Sequence, residues 1–217
     1  GKRSDYGQSS ILPHNVPTVL LGAGLLWFGW FGFNAGSELA ADGVASLAFI
    51  NTLAAPVGAM VTWGIYEQIA HGKPTSVGVG SGAIAGLVAI TPSCAYIDPV
   101  WALVLGAIVG VVCALAIELK FVLGFDDSLD VVGIHLVGGI IGTLFIGLFG
   151  KGVGLLFGYG WDQLGKQAIG VAVVLVFAFV VSYALGWAIQ KTIGFRVTST
   201  DEIAGVDLVQ HGETGYA

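Results

Sequence analysis

The chain has 217 residues, of which 55% are hydrophobic and only 10% are charged; its mean hydropathy is +0.87 and its formal net charge is −6. Soluble domains carry about 25% charged residues, so this composition predicts an all-α integral membrane protein and excludes an ordinary soluble domain. The sequence shows no phosphate-binding loop, dinucleotide fingerprint or cluster of metal ligands. We therefore expect no enzyme activity, no cofactor, no metal and no ATP-driven pump in this chain.

Six apolar segments are predicted to cross the membrane, each followed by a polar connection. A spanning helix needs roughly 20 mainly apolar residues. The predicted spans are residues 17–33, 39–65, 77–90, 100–116, 131–149 and 168–189. We expect a single transmembrane bundle over residues 1–195 and a polar cytoplasmic tail over residues 196–217. The start at Gly1, without a methionine or a signal peptide, predicts the back part of a longer protein.

The basic residues predict how the spans are oriented. With six spans both chain ends lie on one side, and six of the eight lysines and arginines fall on that side. These are Lys2, Arg3, Lys73, Lys120, Lys191 and Arg196; only Lys151 and Lys166 fall on the other side. Because cytoplasmic loops of membrane proteins are enriched in basic residues, we predict a multi-pass protein of the inner (plasma) membrane with both ends cytoplasmic.

Glycines repeat at four-residue spacing in three of the predicted helices. They are Gly78, Gly82 and Gly86, then Gly106 and Gly110, then Gly138 and Gly142. Small residues at this spacing let helix backbones approach closely in lipid, so we expect a compact bundle around a narrow path. The two cysteines, Cys94 and Cys113, are interpreted as packing residues.

His135 is the only ionisable side chain between Val131 and Phe149. An ionisable group at membrane depth is costly and usually faces a cavity or the bundle interior. Two interpretations remain open for this histidine: a structural residue bonded to a neighbouring helix, or a pore-lining imidazole that relays a proton. Asp126, Asp127 and Asp130 precede it, and their simplest role is helix capping, for which Asp130 is the leading candidate.

Trp27, Trp30 and Phe33 belong to an aromatic stretch that ends the first predicted helix. One interpretation is an aromatic belt at the membrane interface. However, Phe33 and Ser37 are four residues apart and would share a face if the helix continues. An aromatic ring beside a hydroxyl can hold a small cation by cation–π attraction and a hydrogen bond.

These stretches together resemble the ammonium transporters, the family that also includes the Rh proteins and the methylammonium permeases. The motifs that carry the resemblance are Pro13-His14-Asn15, Gly29-Trp30-Phe31-Gly32-Phe33-Asn34-Ala35-Gly36-Ser37, Ala48-Phe49-Ile50-Asn51-Thr52, Gly82-Ala83-Ile84-Ala85-Gly86 with Thr91-Pro92, Asp126-Asp127-Ser128-Leu129-Asp130 through His135, and Gly205-Val206-Asp207, His211-Gly212-Glu213 and Tyr216 in the tail. They cover essentially the whole chain.

The resemblance implies a fold of eleven helices, made of two inverted five-helix repeats and a long final helix, assembled as a homotrimer with one pore per subunit. This chain would hold the second repeat, the final helix and the tail. His135 would be the second member of a twin-histidine pair, Phe33 one of two gate phenylalanines, and Ser37 the hydroxyl of the outer ammonium site. Asp130 and Asn34 are expected to cap or support the helices that carry them.

The implied activity is ammonium transport: ammonium is recruited outside, loses its proton, and ammonia passes the histidines. Whether the proton follows separately is left open. The tail is similar to tails that couple to a PII-type signal protein. An ammonium sensor on the same scaffold is the alternative, and a generic small-solute carrier with a structural His135 is a third.

Overall fold

The structure is a computed structural model that describes residues 2–7 and 12–214. Within these residues the chain is helical and contains no strand. The helices are α1 (Val16–Asn34), α2 (Gly43–His71), α3 (Ser76–Ile90), α4 (Pro99–Leu123), α5 (Val137–Phe149), α6 (Asp162–Thr192) and α7 (Ser199–Ala204). A π-helical turn, Val132–Leu136, leads directly into α5. Tyr216, which belongs to the tail motif, lies outside the described residues.

Each predicted span forms a helix, and short polar residues define where three of them begin. The side chains of Asn15, Asp42 and Thr75 accept hydrogen bonds from backbone N–H groups in the first turns of α1, α2 and α3. At the other end, Gly72 and Gly124 terminate α2 and α4 in the left-handed conformation that glycine adopts at low cost. The caps place the start of α2 at Gly43, four residues later than the sequence predicts.

Five helical segments of the described chain are long and apolar enough to cross a membrane. The exception is α3, which has only 15 residues and is shorter than a full span. The prediction of an all-helical membrane protein is therefore confirmed. The third predicted span forms a helix that is shorter than a full membrane span. No described residue of α6 is buried.

The glycine repeats bring α3 and α4 against the backbone of α2. A Cβ on Gly86 would lie 2.6 Å from the Cα of Pro56, and one on Gly110 would lie 2.5 Å from the carbonyl oxygen of Ala59. A Cβ on Gly106 would clash with the backbone of Ala55 in the same way. Close packing through small residues is thus confirmed for these helices.

Successive helices of the unit Ile11–Val171 run in alternating directions. At one end, Trp30 of α1 bonds to Thr91 after α3, and Lys151 after α5 donates its N–H to the Tyr96 carbonyl before α4. At the opposite end, Glu118 of α4 contacts the end of α2 through Tyr66. The ends of α1, α3 and α5 therefore share one face of the bundle, and the ends of α2 and α4 share the other.

A second compact unit comprises Gly1–Ser10 and Ala172–Ala217. Arg196 makes a bidentate ion pair with Glu202, with an Nη2–Oε2 distance of 2.7 Å. The Arg196 guanidinium also donates to the carbonyl of Lys2, and the Ser4 N–H donates to Glu202 at 2.9 Å. These bonds join the described residues 2–7 to the tail.

Candidate functional site

Phe33 and Ser37 lie together where α1 ends. The helix stops at Asn34, and a single 3₁₀ turn, Gly36–Glu38, continues the chain. The Ser37 hydroxyl donates to the Phe33 carbonyl one turn back, which holds the hydroxyl beside that residue. Phe33 is 62% exposed, and Trp30 meets its ring edge-on at 6.1 Å. The structure therefore places Ser37, predicted for the outer ammonium site, one helical turn from Phe33, predicted for the gate.

Side-chain hydrogen bonds fix the end of α1 on α2 and α3. The indole of Trp27 donates to the Thr52 carbonyl at 3.1 Å, and that of Trp30 donates to the Thr91 hydroxyl at 2.8 Å. The buried amide of Asn34 donates to the Thr52 hydroxyl at 3.0 Å. Asn34 thus joins the end of α1 to α2 through its side chain. These two tryptophans hold the bundle together, a role that the aromatic-belt interpretation does not include.

An open apolar groove of about 500 Å³ runs along the same part of α1. Its lining residues are Gly22, Leu25, Leu26, Gly29, Trp30 and Phe33. No other described helix lines the groove, so Phe33 lies at the end of an apolar surface of α1 that the described residues leave uncovered.

His135 lies in the π-helical turn that precedes α5. Gly133 and Ile134 of this turn are buried, whereas His135 and Leu136 are exposed. His135 therefore does not face the interior of the bundle that the described residues form, because these residues leave this side of the turn uncovered. The imidazole is also not enclosed by core side chains, as a purely structural histidine would be. π-Helical turns inside α-helices occur frequently at functional sites.

Capping of the His135 turn is performed by Asp127. Its carboxylate accepts the N–H groups of Val131 at 3.0 Å and Val132 at 2.8 Å. The prediction that Asp130 caps this helix is wrong, because its carboxylate points back to α4 and pairs with Lys120. Asp130 contributes through its backbone instead: it is left-handed, with φ of 56°, and its carbonyl accepts the Ile134 N–H at 2.9 Å.

Lys120 is the residue that sequence reasoning did not connect with the site. It lies in the last turn of α4, is only 6% exposed, and pairs with Asp130 while donating to the Asp127 carbonyl at 3.1 Å. A lysine inside an apolar run, ten residues before an aspartate, was the available signal. Lysine is rarely buried without a partner, so a lysine at this position directs attention to the aspartates that follow, but the sequence does not specify which of them pairs with it.

The predicted residues occupy two ends of one bundle. Phe33 and Ser37 lie at the face where α1 ends, and His135 lies in the turn that begins α5, toward the opposite face. A ring with a hydroxyl suits a small cation, and an imidazole can accept and donate a proton. Among the described residues, no three His, Cys, Asp or Glu side chains group as a metal site.

The whole described chain matches one protein family. The model of the Ammonium Transporter Family matches residues 1–216. The chain belongs to this family. It is 47% identical over 228 residues to an ammonium transporter of Mycobacterium tuberculosis and 43% identical over 221 residues to the ammonium transporter Amt1 of Archaeoglobus fulgidus. These alignments cover 100% of this chain but only 48% and 56% of the relatives.

Solved structures lead to the same family. The chain superimposes on Mep2 of Candida albicans with a TM-score of 0.85 and 33% identity, covering 98% of this chain and 50% of Mep2. It also superimposes on a structure named Sensor Amt Protein with a TM-score of 0.87 and 33% identity, covering 98% of this chain and 53% of the other. The chain thus spans about half the length of the relatives that it matches.

Proposed function

We propose that this chain provides the second half of an ammonium transporter, in which ammonium is recruited, deprotonated and conducted as ammonia. The observation that carries this proposal is the placement of His135, the single ionisable side chain of an otherwise apolar helix, on a surface that the described chain leaves open. Half-length coverage of the family supports a partner half that closes this surface.

Recruitment of ammonium rests on Phe33 and Ser37. Because the Ser37 hydroxyl hydrogen is donated to the Phe33 carbonyl, its oxygen keeps lone pairs that can accept an N–H of ammonium. The exposed ring of Phe33 adds cation–π attraction. Both contacts favour the charged form, and the ring then stands as a gate between this site and the apolar surface of α1.

Proton loss follows from the cost of a bare cation in an apolar path. Moving an unpaired ammonium ion into such a path costs several kcal/mol or more. Neutral ammonia carries no charge, so it loses only its hydrogen bonds to water. The imidazole of His135 can accept from or donate to ammonia, and it can pass a proton. Separate passage of the proton and passage of ammonia alone both remain compatible with this arrangement.

The proposal includes the rest of the assembly that the family resemblance implies. A first repeat, encoded upstream or supplied separately, covers His135 and α1 and contributes the second histidine and the second gate phenylalanine. The complete protein is a homotrimer in the inner membrane with both ends of this chain cytoplasmic. The tail over residues 196–217 binds a PII-type signal protein. The distribution of basic residues supports this orientation.

Uptake of labelled methylammonium tests the proposal, in cells that lack their own ammonium transporters and express the complete reading frame. His135→Ala and His135→Asp are expected to abolish or alter conduction, whereas His71→Ala, at an exposed histidine paired with Glu118, serves as the matched control. Ser37→Leu is expected to weaken apparent affinity. Unchanged uptake and selectivity in both His135 variants would remove the proposed role of the imidazole.

An ammonium sensor is the second candidate, favoured by the similarity to the structure named Sensor Amt Protein. Both functions use the same recruitment site, so Ser37→Leu affects both. They differ in net flux: a sensor changes conformation when ammonium is added but accumulates no methylammonium. Ammonium-dependent changes in tryptophan fluorescence without uptake would favour the sensor.

A further inference from the structure

We propose that Lys120 is a positioning residue for His135, acting through a clasp that consists of Lys120, Asp127 and Asp130. This inference rests on the proposed function, because it concerns the orientation of the His135 imidazole, which the proposed function places in the pore. The clasp lies at the corner between α4 and the π-helical turn. It joins the end of one helix to the start of the helix that carries the histidine.

Two bonds from one ammonium group hold two residues of the short connection between α4 and the π-helical turn. The Lys120 Nζ donates to the carbonyl of Asp127 at 3.1 Å and pairs with the carboxylate of Asp130. Its position over the ring of Phe121, at 5.3 Å, adds a cation–π contact. A buried cation is strongly destabilising when one of its partners is removed, so these two bonds restrain the position of the connection.

The ion pair also explains the backbone of Asp130. A residue with a side chain rarely adopts φ of 56°, and such conformations persist where the surroundings enforce them. Here the pairing with Lys120 keeps Asp130 left-handed. That conformation directs the Asp130 carbonyl to the Ile134 N–H. The Asp127 carboxylate is then the group that accepts the N–H groups of Val131 and Val132.

A second contact with α4 locks the same turn. A Cβ on Gly133 would lie 2.6 Å from Cγ2 of Ile117, so the turn packs directly on that side chain. Ile117 and Lys120 are three residues apart and share a face of α4. His135 follows within the same turn. A slip of the starting residue by one position would rotate the imidazole by about 100° around the helix axis.

The test has one arm that does not depend on transport. In the complete protein, the thiol introduced by His135→Cys is reacted with a charged methanethiosulfonate reagent, with Lys120 intact or replaced. Lys120→Met is expected to change the reaction rate severalfold, and Lys120→Arg, which retains a cation for Asp130, is expected to stay near the original rate. Equal rates in all three proteins would overturn the proposal.

The second arm measures methylammonium uptake with His135 present. Lys120→Met is expected to lower the maximal rate by roughly tenfold to a hundredfold, the effect expected when a reacting group moves by about 1 Å, with unchanged apparent affinity. Lys73→Met removes the same charge from an exposed position and is expected to change neither value. Loss of affinity together with rate, or no rescue by Lys120→Arg, would indicate a merely structural lysine and contradict the proposal. If unmodified protein shows no uptake, the proposed function fails while the thiol arm still decides the role of Lys120.

Discussion

Gly86 brings α3 directly against the backbone of α2, and adding one methyl group there tests the packing of the bundle. The Cβ of an alanine at this position would lie 2.6 Å from the Pro56 Cα and 2.8 Å from the Ala55 carbonyl oxygen. Carbon atoms in contact are about 3.5–4.0 Å apart, so α2 and α3 would have to separate by about 1 Å. Neither neighbouring atom belongs to a side chain that can rotate away.

The expected effect of Gly86→Ala is a loss of stability. Overpacking of a core costs about 1–3 kcal/mol, and the clash with backbone favours the upper half of this range. The gain in helix propensity from glycine to alanine offsets up to about 1 kcal/mol. A net loss of about 1–2 kcal/mol corresponds to a melting temperature lower by about 2–8 °C for a chain of this size.

Thermal unfolding of the detergent-solubilised protein, followed by tryptophan fluorescence, measures this loss. Gly64→Ala is the matched control, because its new Cβ would meet Val79 and Pro74 side-chain atoms at 3.7 and 3.9 Å, which is ordinary contact. We expect the control to melt at or above the original temperature. An unchanged melting temperature in Gly86→Ala, or an equal fall in both variants, would refute the packing that is described for α2 and α3.

Three further predictions concern polar groups. Asn51→Leu removes two buried hydrogen bonds, to the carbonyls of Cys94 and Ile97 at 2.8 Å each, and is expected to cost about 2–4 kcal/mol in denaturant or thermal unfolding because two acceptors are left unsatisfied. Burial raises the pKa of the Cys94 thiol, so alkylation by iodoacetamide at pH 7.5 should be much slower in folded than in unfolded protein; equal rates would contradict this burial. Hydrogen bonds from the Ser4 backbone and from Arg196 lower the pKa of Glu202 below its ordinary value of 4.5. The contact between residues 2–7 and the tail should therefore be fully present above pH 4.5 and be lost as the pH falls through the lowered pKa, which an acid titration of a fluorophore pair on the two segments would detect.

Part of the site could be predicted from the sequence because its signals are local. His135 is recognisable since no other ionisable residue interrupts its apolar run. Phe33 and Ser37 are four residues apart, so one helical turn suffices to bring them together, and the structure shows the hydroxyl bonded to the Phe33 carbonyl. The glycine repeats likewise indicated which faces allow close approach.

The cap of the His135 turn could not be assigned from sequence. Three aspartates precede the turn, and each is a good cap by residue type. The choice of Asp127 depends on the left-handed backbone of Asp130, and that backbone depends in turn on Lys120 from the preceding helix. Propensities of single residues contain no information about this pairing between two helices.

The sequence alone determined the class of the protein, an apolar helical chain with His135 in its fifth helix, because hydropathy, helix caps and glycine spacing act between neighbouring residues. Only the tertiary structure decided the rotation of each helix and hence which side chains are covered. Phe33 is exposed while Lys120 is buried, the reverse of what the polarity of these two side chains predicts in water. The physical reason is that burial depends on which helices pack together, and a lysine paired with an aspartate can be buried where an isolated one cannot.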